Sequence, residues 1–210
     1  MTIVYTVLLA IAAFGLGAVP FSVLVGRWLL KANIQSYGDG NPGAVNVFRA
    51  GGQKAGYLAV FLDVAKGVPF VFLAYSWLDL PGLSIVAVAL SAMLGHAFSP
   101  FLGWRGGKAV AITFGVLLAL PQHEALLAFI ACVVAGFLFV ENDAWVVVLG
   151  SAGALAYLTI TGSESWIILL MLCIMALLIY RHFQDLRSMP RLRGRLIRWL
   201  QSILRDTTSV

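Results

Sequence analysis

The sequence predicts an all-α membrane protein of about seven transmembrane helices, and three observations carry that prediction. Of its 210 residues, 61% are hydrophobic and only 11% are charged, with a mean hydropathy of +0.95; a soluble fold of this length does not carry so little polar surface. The apolar residues gather in long runs, not in the short alternating pattern of strands. The 14 Lys and Arg all fall at one set of alternate run ends, the asymmetry that orients a polytopic chain.

The first run, Ile3 to Leu30, has no preceding positive cluster and exceeds a signal-peptide core, so it reads as a span and not a cleaved leader. Gly56 to Trp77 and Leu83 to Leu102 follow, each close to the ~20 residues that cross a bilayer. Ala109 to Leu120 and Ala125 to Val140 are shorter and span only with help from snorkelling flanks. Ala144 to Ile160 and Trp166 to Tyr180 complete the set. Alternation from an outside N-terminus puts Arg27, Lys31, Arg49, Lys54 and Lys66 around the first inner loop. Arg105 and Lys108 then lie in the second, and the arginines from Arg181 to Arg205 follow the last helix, giving a cytoplasmic C-terminus. The outer turns hold only Asp79, Glu124 and Glu164. Residues 1–189 thus form one polytopic domain. From Pro190, Leu192, Leu196, Trp199 or Leu200, and Ile203 recur at helical spacing among arginines, so residues 190–210 read as a basic amphipathic tail on the anionic inner leaflet. Cys132 and Cys173 sit within apolar runs as small buried thiols, and no metal site is expected.

Three polar clusters converge on the inner side. Gly38 to Arg49, GDGNPGAVNVFR, is a glycine-rich loop with backbone N–H groups suited to an anion. Gly38, Gly40 and Gly43 match G-x-G-x-x-G, but no strand precedes them and no acidic partner follows, which argues against a dinucleotide site. Gly95 to Ala111, GHAFSPFLGWRGGKAVA, offers His96, Arg105, the Gly106–Gly107 pair and Lys108. Arginine grips phosphate through two donors and lysine acts as a mobile point charge; a Walker A loop would need glycine at Leu102 and a hydroxyl at Ala109. After the last helix come Arg181, His182, Asp185 and Arg187. Either histidine has the ordinary pKa range of a general base. Asp63 and Lys66, three apart, pair on one helix face, with positioning of the first loop as their expected task.

Together these clusters resemble the PlsY family of bacterial membrane glycerol-3-phosphate acyltransferases. The family pattern runs GSGNxGATNVxR, then GHxFPxFLxFKGGKGVAT, then a serine-bearing inner loop, then RHxxNIxR. Gly38, Gly40, Asn41, Gly43, Ala44, Asn46 and Arg49 match the first motif, with Asp39 in place of serine and Val45 in place of threonine. Gly95, His96, Phe98, Phe101, Leu102, Gly106, Gly107, Lys108, Val110 and Ala111 match the second, with Ser99 for proline, Arg105 for lysine and Ala109 for glycine. Arg181, His182 and Arg187 are read as retained, and Asp185 stands where the family has asparagine. The inner loop departs most, with Glu141, Asn142, Asp143 and Ala144, and Ser151 lies too deep to supply the missing serine.

The resemblance implies acyl transfer from acyl phosphate to the 1-hydroxyl of glycerol 3-phosphate, giving lysophosphatidic acid for phospholipid biosynthesis. It implies a site on the cytoplasmic side of the bacterial cell (inner) membrane. His182, His96 and Asp185 would be catalytic, while Gly40, Asn41, Gly43, Asn46, Arg49, Arg105, Gly106, Gly107 and Lys108 would bind phosphate. No cofactor and no nucleic acid are expected; membrane lipids and the soluble enzyme that makes acyl phosphate are the expected partners. A second reading is a divergent or inactive relative that binds a phosphorylated lipid or another phosphorylated acceptor. A transporter would instead place ionisable groups near the midplane on repeated, broken helices.

Overall fold

The computed structural model describes residues 1–194, and every long apolar run in it is helical. The first run is not one helix. α1 (Thr2–Ala18) stops at Val19, whose backbone is extended, and α2 (Phe21–Leu29) restarts after Pro20. Proline lacks the N–H that would continue the ladder, so carbonyls at the break lose their helical partners. Two distant side chains replace those partners: Ser99 Oγ donates to the Ala18 carbonyl at 2.6 Å and Lys66 Nζ to the Val19 carbonyl at 2.8 Å.

A loop and the short α3 (Ala44–Arg49) lead into α4 (Gln53–Ala65). α5 (Pro69–Phe72) and a π-helical turn, Leu73–Trp77, extend that span to Trp77. α6 (Gly82–Ala97) lies against α1, and the backbones meet through glycine. A Cβ on Gly17 would strike the Ala92 carbonyl, and one on Gly95 would strike that of Phe14. α4 and α7 (Val110–Leu118) repeat the device through Gly115 on Val64 and Gly67 on Ile112. Small residues let helices approach where no water drives them together, and dispersion contacts then hold the pair. Gly95, in the second motif, is therefore a packing residue.

α8 (His123–Phe139), α9 (Asp143–Ile160) and α10 (Ser165–His182) close the bundle. Five segments are long and apolar enough to cross a membrane: Thr2–Leu29, Gln53–Trp77, Gly82–Leu102, Asp143–Ile160 and Ser165–His182. α8 has 17 residues. With nine residues, α7 rises only about 13 Å, less than half of a hydrocarbon core. Its buried Ile112, Val116 and Leu117 join Phe129 of α8 and Leu170 and Ile174 of α10 in the main core.

Of the expected amphipathic tail, residues 195–210 lie outside the described part. Residues 190–193 are not helical: Leu192 bridges Val140 in antiparallel fashion, with Glu141 N–H donating to the Arg191 carbonyl and Arg193 N–H to that of Phe139.

Candidate active site

Loops from four parts of the chain meet at one end of the bundle around a cavity of about 550 Å³. The segment before α3 supplies Asp39, Asn41 and Gly43, and α3 supplies Arg49. Lys108 comes from the glycine turn before α7, Asn142 and Asp143 from the start of α9, and His182, Asp185 and Ser188 from the end of α10 and beyond. Val60, Val64, Phe114, Phe137 and Val147, all on the helices α4, α7, α8 and α9, form an apolar wall.

Lys108 is the hub. Its Nζ donates to Asp39 Oδ2 and to Asp185 Oδ2, both at 2.7 Å. Asp39 Oδ1 in turn accepts from Asn46 Nδ2 at 3.0 Å and from the Asn41 N–H at 3.2 Å. Asn46 passes the chain on, accepting from Arg49 Nη1 at 3.1 Å, and Arg49 lies 3.9 Å from Asp39. Burial works to raise the Asp39 pKa, but the Lys108 ammonium, the Asn41 N–H and the Asn46 amide outweigh it and hold the carboxyl at about 2. Burial likewise works to lower Lys108, and the two carboxylates outweigh it, raising the ammonium above the ordinary lysine value. Asp39 and Lys108 are both ionised at neutral pH.

His182 is buried, and its Nδ1 lies 2.9 Å from the Leu178 carbonyl. A carbonyl only accepts, so Nδ1 carries the proton and Nε2 keeps the lone pair. Asp185, in a 3-10 turn after α10, remains beside it on the cavity wall although the α-helix has ended. His96 also lines the cavity, from the buried end of α6, with Nδ1 3.9 Å from Asp63 Oδ1.

Several expected site residues do other work. Gly106 and Gly107 are buried against the end of α6, and their N–H groups donate to the Ala97 and His96 carbonyls at 3.1 and 3.0 Å. Those donors are spent within the fold and are not open to a ligand. Their carbonyls accept from Arg181, Nη2 to Gly106 at 2.6 Å and Nε to Gly107 at 3.0 Å, while the guanidinium lies over the Phe98 ring. Arg181 thus fixes the turn that presents Lys108. Gly40 and Arg105 do not line the cavity, and Arg105 is exposed. Asn46 sits behind the wall as a support. Asp63 and Lys66 pair at 2.7 Å, but their partners are Ser22 and Val19 at the α1–α2 break and not the first loop.

Sequence reasoning missed Asn142 and Ser188. Asn142 caps α9 through the Ala144 N–H, and its amide donates to the Asp185 carbonyl at 3.1 Å and to Ser188 Oγ at 2.8 Å. An Asn just before an apolar run is an N-cap signal, and that signal was available. Counted strictly from Arg181, RHxxNIxR places its last arginine at Ser188, one residue beyond Arg187. Ser188 is on the cavity wall, whereas Arg187 stacks on Phe183. Ser151 is buried on α9 and bonded to the Val148 carbonyl, away from the cavity.

Membrane-spanning helices around a cavity that is ionic at its loops and apolar along its helices define a class: integral membrane enzymes for substrates that are charged at one end and lipid-like at the other. Within it, the chain belongs to the glycerol-3-phosphate acyltransferase family, whose model matches residues 7–191. A glycerol-3-phosphate acyltransferase of Neisseria gonorrhoeae is 38% identical over 177 residues, covering 83% of this chain and 88% of the relative. One from Listeria monocytogenes is 33% identical over 197 residues, covering 92% and 98%. The crystal structure of PlsY, an integral membrane glycerol 3-phosphate acyltransferase, in its glycerol 3-phosphate form is 29% identical with a TM-score of 0.79, covering 87% of this chain and 90% of that one. Its lysophosphatidic acid form gives a TM-score of 0.75. The family resemblance, the all-helical membrane fold and the assignment as an acyltransferase are borne out.

Proposed function

We propose that the protein transfers an acyl group from acyl phosphate to the 1-hydroxyl of glycerol 3-phosphate, releasing lysophosphatidic acid and phosphate. The observation that carries this reading is one cavity that combines Arg49, Lys108 and the Nε2 face of His182 with the apolar wall of Val60, Val64, Phe114, Phe137 and Val147. Arg49 and Lys108 hold phosphate, and the apolar wall takes the acyl chain from the bilayer. His182 Nε2 accepts the proton as the glycerol hydroxyl oxygen attacks the acyl carbonyl carbon. The tetrahedral intermediate collapses with cleavage of the bond to the phosphate oxygen, which leaves with the electron pair and then takes the proton from His182. Acyl phosphate is already activated, so positioning and charge stabilisation supply the catalysis and no covalent enzyme intermediate is required.

The cavity faces the cytoplasm in this reading, in a bacterial inner membrane, because Arg49, Lys108, Arg181 and Arg187 lie in or beside the loops that form it. A soluble enzyme making acyl phosphate would deliver its product to that face. The test supplies purified protein with acyl phosphate and labelled glycerol 3-phosphate; labelled lysophosphatidic acid is expected, and its absence would sink the reading. The two carboxylates on Lys108 favour a second reading, phosphate binding without this turnover, and bound phosphate with no product would support it.

A further inference from the structure

Lys108 is occupied by two carboxylates of the protein itself. Asp39, from the loop before α3, and Asp185, from the turn after α10, each reach it at 2.7 Å. The Asp39 carboxylate is held from behind, and Asp185 is tethered through its backbone. Asn46 and the Asn41 N–H fix Asp39 Oδ1 and leave Oδ2 for the lysine, and Asn142 fastens the Asp185 carbonyl. Scaffold stability does not explain the arrangement, since the three side chains are 28%, 41% and 44% exposed and ion pairs open to solvent contribute little. Toward an incoming phosphate the arrangement is a barrier. The anion must displace two carboxylates and then lie beside them, where like charges repel. A ligand offsets that barrier only by offering donors to the displaced oxygens, because an ionised carboxylate accepts and never donates.

We propose that Asp39 and Asp185 are specificity-determining residues that select a polyol phosphate, whose hydroxyls bond the displaced carboxylates, over a bare phosphate ion. The inference rests on reading Lys108 as a phosphate-binding residue. In the bound complex one hydroxyl of the polyol donates to Asp185 and a second to Asp39; for reaction the first turns its O–H from Asp185 to the neighbouring His182 Nε2. Inorganic phosphate brings the same charge without hydroxyls set away from the phosphorus. It is also the leaving group of the proposed reaction, so the carboxylates weaken the product's hold on the lysine and clear the site for the next substrate.

The test compares wild type, Asp39→Asn and Asp185→Asn, purified in detergent. Each is titrated with sodium phosphate and with glycerol 3-phosphate by thermal shift, and phosphate inhibition of turnover is measured in parallel. Each variant is expected to bind phosphate about 10-fold more tightly than wild type and to gain no more than about 3-fold for glycerol 3-phosphate. Equal gains for both ligands, or no gain for phosphate in either variant, would overturn the proposal. Glu141→Gln removes one charge outside the cavity and is expected to change neither affinity; if it reproduced the phosphate gain, long-range charge and not the bracket would be the cause. Should one asparagine variant fail to fold, the other carries the comparison. A wild type that makes no lysophosphatidic acid but shows this binding pattern would remove the reaction and leave the selectivity standing.

Discussion

A single added methyl group at Gly38 would strike Arg49 Nη1 and Asn46 Oδ1, and the backbone there has φ of +56°. Both facts demand glycine. Gly38→Ala is expected to push Arg49 off its position and lower turnover about 100-fold while membrane insertion stays normal, as steady-state assays and membrane fractionation would record. Lys108→Ala and Arg49→Ala are each expected to cost about 100-fold or more, through loss of charge stabilisation of phosphate. Retention of near-normal turnover by either would contradict the assigned role. For His182→Gln the expected loss, about 100- to 10,000-fold, lies in kcat with KM little changed, as for a removed general base. Much of this set was legible in the sequence because the residue types are chemically specific. Asp39 was not: read alone it is an anion where phosphate belongs, and only folding reveals it as the centre of the Lys108–Asn46–Arg49 network. Its pKa of about 2 keeps it charged. The Asp39–Lys108 attraction is therefore present above the ordinary carboxyl range and lost only as pH falls through that low value, so it does not act as a switch near neutral pH. Ala109 likewise reads as a mild change from glycine until its φ of +63° shows why glycine suits the position.

At the scale of elements, apolar runs located the helices, but composition could not find the break inside the first. Pro20 is visible, yet the groups that make the break tolerable lie 47 and 81 positions away, at Lys66 and Ser99. A run of apolar letters carries no record of such partners. Lys66→Met leaves the buried Asp63 carboxylate without its counter-ion, with only Ser22 Oγ to donate to it, and leaves the Val19 carbonyl with only the Phe21 N–H. The expected cost is about 3–5 kcal/mol, seen as a lower melting temperature in detergent. The double variant with Asp63→Asn should recover part of the loss, and no recovery would mean the pair is not coupled. The glycine turn before α7 was legible as important and misread in purpose. Its close approach is to α6, because the Cβ positions of Gly106 and Gly107 point into the Ala97 backbone and the His96 ring.

For the whole molecule, the positions of Arg49, Lys108, Arg181 and Arg187 in or beside the cavity-forming loops predict which face meets the cytoplasm. In a background lacking Cys132 and Cys173, Lys54→Cys is expected to resist an impermeant thiol reagent in intact cells and to react after permeabilisation. Thr161→Cys, at the opposite end of α9 from the cavity, is expected to react in intact cells. The reverse pattern would turn the orientation over. The residues that meet at Lys108 also lie far apart in sequence, Asp39 by 69 positions and Asp185 by 77. During synthesis the lysine is in the membrane long before its last partner leaves the ribosome. The cavity therefore acquires its final wall only when α10 and the turn after it arrive, so a chain truncated or stalled before that point holds an unfinished groove, and activity becomes a report that insertion has run to the end.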